Sequence, residues 1–132
     1  MTAFLDSNVV VYAFTAEDRH SRIAQGLMQH DFEISVQVLN EFVNVSRRKL
    51  KRNWIDIEAS LKDIGDAAEA IHPLSAETTQ TGVFLAQRYG LAVYDSMIAA
   101  AALIARCTLL YSEDMHNGLV IEDRLTIRNP FA

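Results

Sequence analysis

Ala3-Phe4-Leu5-Asp6-Ser7-Asn8, followed by the apolar run Val9-Val10-Val11-Tyr12-Ala13-Phe14, decides how the rest of the chain is read. A short apolar strand, Phe4-Leu5, stops on a carboxylate, and Ser7 or Asn8 can cap the helix that follows. This order puts Asp6 at the carboxyl edge of a sheet. In open α/β sheets that edge is where ligands bind.

Working outward, Arg19 to His30 has a helical apolar face in Ile23, Leu27 and Met28, and Phe32-Glu33-Ile34-Ser35-Val36 alternates like a strand. Gln37 to Arg52 and Trp54 to Ala70 have helical patterns, and Ile71-His72-Pro73-Leu74 is a short strand-like connection. The cluster Ser75-Ala76-Glu77-Thr78 announces a helix over Glu77 to Tyr89, which Gly90 ends in the manner of a C-cap. Tyr94 to Arg106 is an alanine-rich helix, Thr108 to Ser112 a buried strand, and Leu125-Thr126-Ile127 the last strand. Strands alternating with helices predict an α/β fold, a three-layer α/β/α sandwich around a central, mainly parallel sheet.

With 132 residues, half of them apolar, the chain is expected to form one domain over residues 1–132. The greasiest stretch, Met97 to Ala105, stops at Arg106, far short of a membrane span, and no basic region precedes an apolar core at the start. The lone Cys107 excludes an internal disulfide framework, so a cytoplasmic setting without membrane attachment is expected. A net charge of -5 argues against indiscriminate binding to nucleic acid, which depends on neutralising phosphates. Any such contact must be local or helped by metal ions.

Three later segments each bring another acid to a comparable place. Glu41 lies near the start of the helix after the second strand, Asp95 at the opening of the alanine-rich helix, and Asp114 just past the strand ending at Ser112. All four acids would meet near one end of the sheet. Like charges gathered there raise one another's pKa values unless a cation is present, and hard oxygen donors suit Mg2+ or Mn2+. Taken singly, each acid has a plainer reading. Asp95 could cap its helix, Asp6 could belong to a turn, Glu41 could face solvent, and Asp114 could be a loop acid beside the turn signal Asn117-Gly118. Their joint occurrence at strand ends carries the argument.

The chain resembles the PIN domain ribonucleases, and among them the VapC-type toxins of bacterial toxin–antitoxin pairs. The resemblance rests on Phe4-Leu5-Asp6-Ser7-Asn8, Leu39-Asn40-Glu41-Phe42, Tyr94-Asp95-Ser96-Met97-Ile98-Ala99-Ala100-Ala101, Leu110-Tyr111-Ser112-Glu113-Asp114-Met115 and Asn129-Pro130-Phe131, in that order. It implies a PIN-like sandwich whose acidic pocket holds Mg2+ or Mn2+ for endonucleolytic cleavage of RNA. Asp6, Glu41, Asp95 and Asp114 match the family's catalytic acids. Asp6, Asp95 and Asp114 are then metal residues, Asp6 and Asp95 directly, with Asp114 and Glu41 acting through water or orienting the attacking water. Asn8 and Ser112 match supporting polar positions, and Glu113 adds a neighbouring acid. The toxin reading further implies an RNA substrate, a homodimer, and an antitoxin that plugs the acidic pocket with an arginine-bearing segment.

Behind Glu41 comes the basic run Arg47-Arg48-Lys49-Leu50-Lys51-Arg52. On a continuous helix Arg48 and Arg52 would fall within roughly 20° of Glu41, placed to hold RNA phosphates, although cations also gather at helix C-termini because the dipole favours them. His20, His30, His72 and His116 show no metal-ligand spacing and read as surface or loop residues, with His116 nearest the pocket. The chain has no glycine-rich phosphate cradle and no nucleophilic Ser or Cys paired with a His. Three rivals remain: a phospho-receiver on a doubly wound sheet, a PIN-like module that binds RNA or a partner without cutting, and a DNA-directed nuclease.

Overall fold

The computed structural model describes residues 2–15 and 17–132. Its centre is a six-stranded sheet made of β1 (Ala3–Leu5), β2 (Phe32–Ser35), β3 (Ala70–His72), β4 (Leu109–Tyr111), β5 (Val120–Ile121) and β6 (Leu125–Arg128). The spatial order is β3-β2-β1-β4-β6-β5, parallel throughout except for the antiparallel β5–β6 pair. Among the described residues six α-helices accompany it: α1 (Ser7–Thr15), α2 (Arg19–Met28), α3 (Val36–Asn44), α4 (Trp54–Ala67), α5 (Ala76–Tyr89) and α6 (Val93–Ile104). The predicted α/β sandwich is what the chain forms.

β1 lies between β2 and β4, so the chain runs outward from it in one direction through β2 and β3, and in the other through β4 and β6. That reversal makes the carboxyl ends of β1 and β4 the switch point of the sheet, where crossing helices diverge and leave a crevice. Asp6 and Ser112 follow those two strands directly, and the Asp6 amide donates to the Tyr111 carbonyl at 2.9 Å.

The core follows from side-chain pattern. Phe4, Leu5, Phe32, Ile34, Leu110 and Ile127 are fully buried on the sheet, and α6 contributes an unbroken buried run from Ile98 to Leu103. Small alanines let α6 sit close to the sheet and to α5, where Gly82 lies so near Met97 that a Cβ would collide with its sulfur. α5 begins with a capping box between Ser75 and Thr78 and ends on Gly90 at φ 68°, as its flanking residues predict.

Three differences from the expected elements have physical causes. β5, only two residues long, carries too little pattern to be seen; the hairpin turn at Glu122 and Asp123, both at positive φ, creates it. The helix expected to continue from Gln37 to Arg52 ends its α-helical part at Asn44 and passes into a π turn, Val45–Lys49, closed by the Leu50 amide on the Val45 carbonyl at 3.1 Å. Lys51, at φ 54°, then turns the chain away. Finally, two histidines are less peripheral than expected. His72 Nε2 lies 2.6 Å from Glu33 Oε1, and His20 stacks on Phe131 with ring centroids 4.6 Å apart. Burial acts to raise the Glu33 pKa, but hydrogen bonds from Thr2, His72 and Cys107 outweigh it and hold the carboxylate below its ordinary value. Among the described residues no helix is long and apolar enough to cross a membrane.

Candidate active site

Asp6 is 2% exposed, and each of its oxygens is held. Oδ1 accepts from the Ser7 amide at 2.7 Å, while Oδ2 accepts from Ser112 Oγ at 2.6 Å and Asn8 Nδ2 at 3.2 Å. The same Asn8 amide donates to Asp114 Oδ2 at 3.1 Å, and Ser7 Oγ donates to Glu41 Oε1 at 2.7 Å. Glu41 Oε2 accepts in turn from Gln37 Nε2 at 2.9 Å, one helical turn back along α3. Thus Ser7 and Asn8, at the first turn of α1, bridge Asp6 to acids from two other parts of the chain. Ser7, expected only as a helix cap, thus also bridges two acids, and a hydroxyl directly after a strand-end acid is the signal that could have marked it.

Asp95 comes from the first turn of α6. It does not cap that helix, which starts two residues earlier with Ala92 as its N-cap, so the capping explanation for this acid falls away. It is half-buried, and desolvation together with the charges of Asp114 and Glu41 raises its pKa. Asp6 responds more strongly. Burial, opposed by the hydrogen bonds from Ser112 and Ser7 and reinforced by Asp95 and Glu41, carries its pKa to about 7. These electrostatic couplings tie the four predicted acids into one cluster at the switch point, and Asn8 and Ser112 stand within it.

A family model for the PIN domain matches residues 3–116. The chain belongs to the PIN domain family. No curated protein sequence matches it. Among solved structures, the fold is similar to a toxin–antitoxin complex from Klebsiella pneumoniae, at 20% identity over 98% of each chain and a TM-score of 0.71. It is likewise similar to VapC20 of Mycobacterium tuberculosis, a Sarcin-Ricin loop cleaving toxin, at 15% identity over 86% of this chain and 90% of that one, TM-score 0.71. A third similar structure is VapBC2 of Rickettsia felis bound to a DNA fragment from its promoter, at 24% identity over 98% of each chain, TM-score 0.68.

In this PIN domain Glu113 and Asp114, adjacent in sequence, do different things. Glu113 Oε1 accepts from Tyr12 Oη at 2.7 Å, and its other oxygen lies 3.1 Å from His20 Nε2. The hydrogen bond to Glu113, with burial and the surrounding acids, pushes the Tyr12 hydroxyl up to about 12. Glu113 is therefore a tether turned toward α1 and α2, and it leaves Asp114 as the acid of that loop facing Asn8. Ser112 holds the same loop from below, its Oγ accepting from the Met115 amide at 3.2 Å while donating to Asp6.

Two hollows flank the acids, and Glu41 lines both. One, about 470 Å³, is bounded by Ser7, Asn8, Tyr12 and Asp114 on one side and by Val45, Lys49 and Leu50 on the other. The other, about 510 Å³, is lined by Gln37, Asn40, Glu41, Asn44, Tyr94 and Asp95. The π turn decides which cation reaches the first hollow. One extra residue in the turn rotates everything after it, so Lys49 takes the place next to Glu41 that a continuous helix would have given to Arg48. Arg48 is exposed. Arg52 is drawn off toward α4, where its Nη2 donates to Ser60 Oγ at 2.9 Å. Arg47 lies over the Trp54 ring at 4.5 Å. His116 is exposed and lines neither hollow.

Proposed function

We propose that this PIN domain, a single unit over residues 1–132, is a divalent-metal-dependent endoribonuclease and the toxin of a type II toxin–antitoxin pair, inhibiting translation by cutting a specific RNA. The observation that carries the reading is the buried Asp6 carboxylate, bound by three neutral donors and coupled to Asp95 and Glu41, with a pKa near 7. A negative charge so placed costs stability unless a cation joins it.

The donors fit a hard divalent ion. They are carboxylate oxygens, and Asp6 and Asp95 both have pKa values raised by burial and by neighbouring acids, the condition that cation binding relieves. Among the described residues no three side chains stand ready-made as a metal cage, and the hydrogen bonds that occupy Asp6 and Glu41 are what would rearrange on loading. Asp6, Asp95 and Asp114 would hold Mg2+ or Mn2+, which when bound lowers the pKa of water and neutralises charge on a phosphate. Ser112 and Asn8 keep Asp6 aimed. Glu41, fixed by Ser7 and Gln37, is placed to orient the attacking water and accept its proton, while Lys49 supplies positive charge for the strand's phosphates. Arg48 remains a candidate for more distant RNA contact; Arg52 is committed to Ser60.

The intact acid cluster favours cleavage over a binding-only module, since a module of that kind has no use for a buried carboxylate that destabilises it. The similar structure from Klebsiella pneumoniae is a toxin–antitoxin complex, which supports an antitoxin partner here; on this reading the antitoxin enters the acid cluster with an arginine-bearing segment, and the protein is a cytoplasmic homodimer. The test is induction in bacterial cells, comparing the natural protein with Asp95→Asn by growth and by mapping new RNA ends. Growth arrest with discrete new ends, lost in the variant, is expected. Normal growth with an unchanged RNA profile would refute the toxin assignment.

A further inference from the structure

The two hollows beside the acids differ in chemistry in a way that assigns them to different parts of a nucleotide. The hollow with Lys49 offers the only Lys or Arg lining either one, suited to phosphate. The hollow with Tyr94 has none. Its distinctive residues are an aromatic ring and three neutral amides, Gln37, Asn40 and Asn44.

Tyr94 stands 67% exposed, immediately before Asp95 in the first turn of α6. Packing does not account for a ring in that position. Across the hollow, Gln37, Asn40, Glu41 and Asn44 share one face of α3 by their spacing of three and four residues. The Gln37 amide is already bound to Glu41, whereas among the described residues those of Asn40 and Asn44 have no hydrogen-bond partner and both are exposed. A side-chain amide offers a donor and an acceptor side by side, the complement of a base edge, and an aromatic face takes any base by stacking. The volume lies within the range of small-ligand sites, about 300–1,000 Å³.

We propose that this hollow is a base-binding subsite. One unpaired nucleobase of the RNA, next to the phosphate in the Lys49 hollow, stacks on Tyr94 while Asn40 and Asn44 hydrogen-bond its edge. The base must be unpaired, because a paired base presents neither its stacking face nor its full edge. The subsite rests on the RNA-cleaving function proposed above and adds to it a physical basis for choosing the cut position.

Short single-stranded RNAs carrying 2-aminopurine, with varied flanking bases, test this by fluorescence and affinity in buffer containing Ca2+. The full chain should quench the probe. Tyr94→Ala should abolish quenching and weaken binding roughly ten-fold, within the range for one stacked base. Tyr94→Phe, which keeps the ring, should restore the quenching. Asn40→Ala combined with Asn44→Ala should retain quenching and flatten the preference among bases. All three residues are exposed, so the variants are expected to fold, and melting temperatures check that. Wild-type affinity and quenching in Tyr94→Ala would overturn the subsite while leaving cleavage intact. Tyr94-dependent binding by a protein that cuts no RNA would uphold the subsite and refute the nuclease. Equal binding of duplex RNA, no binding by the natural chain, or loss of a dimer in Tyr94→Ala would each overturn the proposal, the last by giving this face to a second copy of the chain.

Discussion

Asp6 shows how one residue can couple stability to function. Its pKa rises from 3.8 to about 7 on folding, so between those values the folded state keeps a proton that the unfolded state has lost. Stability therefore falls as pH rises through that window, and above pH 7 the whole cost is present. Asp6→Asn removes the charge. Without added metal it should be more stable than the natural protein at pH 8, by about 2 kcal/mol, the charge cost of about 4 kcal/mol being offset by about 2 kcal/mol lost where the new amide faces Asn8, and the order should reverse near pH 4, where the charge cost is gone. Chemical denaturation at several pH values measures it. Glu113 gives a second test at this scale: Glu113→Ala frees Tyr12 and His20 and loosens the loop of Asp114, with an expected loss of about 1 kcal/mol, read from the urea midpoint. That Asp6, Asp95 and Asp114 lie near one edge of the sheet was legible in the sequence, because each follows a strand or opens a helix, whereas Glu41 sits midway along α3 and reaches Asp6 only through Ser7. The division of labour between Glu113 and Asp114 was not, since it depends on Tyr12 and His20 arriving from α1 and α2, a contact with no local pattern.

At the scale of elements, α6 and the α3–π junction carry the site. α6 brings Asp95 to the switch point by laying its buried alanines against its neighbours, so Ala100→Leu should force that packing apart. A loss of about 1–3 kcal/mol is expected, measured by thermal or urea unfolding. The junction decides electrostatics. Lys49→Ala should weaken RNA binding and reduce its salt dependence, while Arg52→Ala should act on stability through the lost bond to Ser60 and leave the salt dependence alone; affinity against salt concentration separates the two. Pattern along the chain made every α-helix visible beforehand, along with β1, β2, β4 and β6, and β3 one or two residues out of place. The π turn was invisible because Val45-Ser46-Arg47-Arg48-Lys49 reads as ordinary helix, and only the closing bond from Leu50 to Val45 reveals the extra residue. That single residue is why Lys49, rather than Arg48 or Arg52, lines the hollow beside Glu41.

Over the whole molecule, a chain of net charge -5 gathers acids at the one crevice its sheet order creates, and sets Lys49 on one side and Tyr94 on the other. Such an arrangement is suited to capturing a cation first and a polyanion with it. Mg2+ or Mn2+ should raise the melting temperature of the natural protein, with a much smaller rise in Asp6→Asn, because binding to the folded state alone stabilises by mass action. We propose that the four acids cut RNA with a divalent metal. The most direct test is cleavage of a labelled total-RNA pool by purified protein, with and without Mg2+ or Mn2+, beside Asp95→Asn purified identically. Discrete fragments that require metal and disappear in the variant are predicted. An identical fragment pattern from both proteins, or cleavage indifferent to metal, would rule out metal-dependent cleavage by these acids.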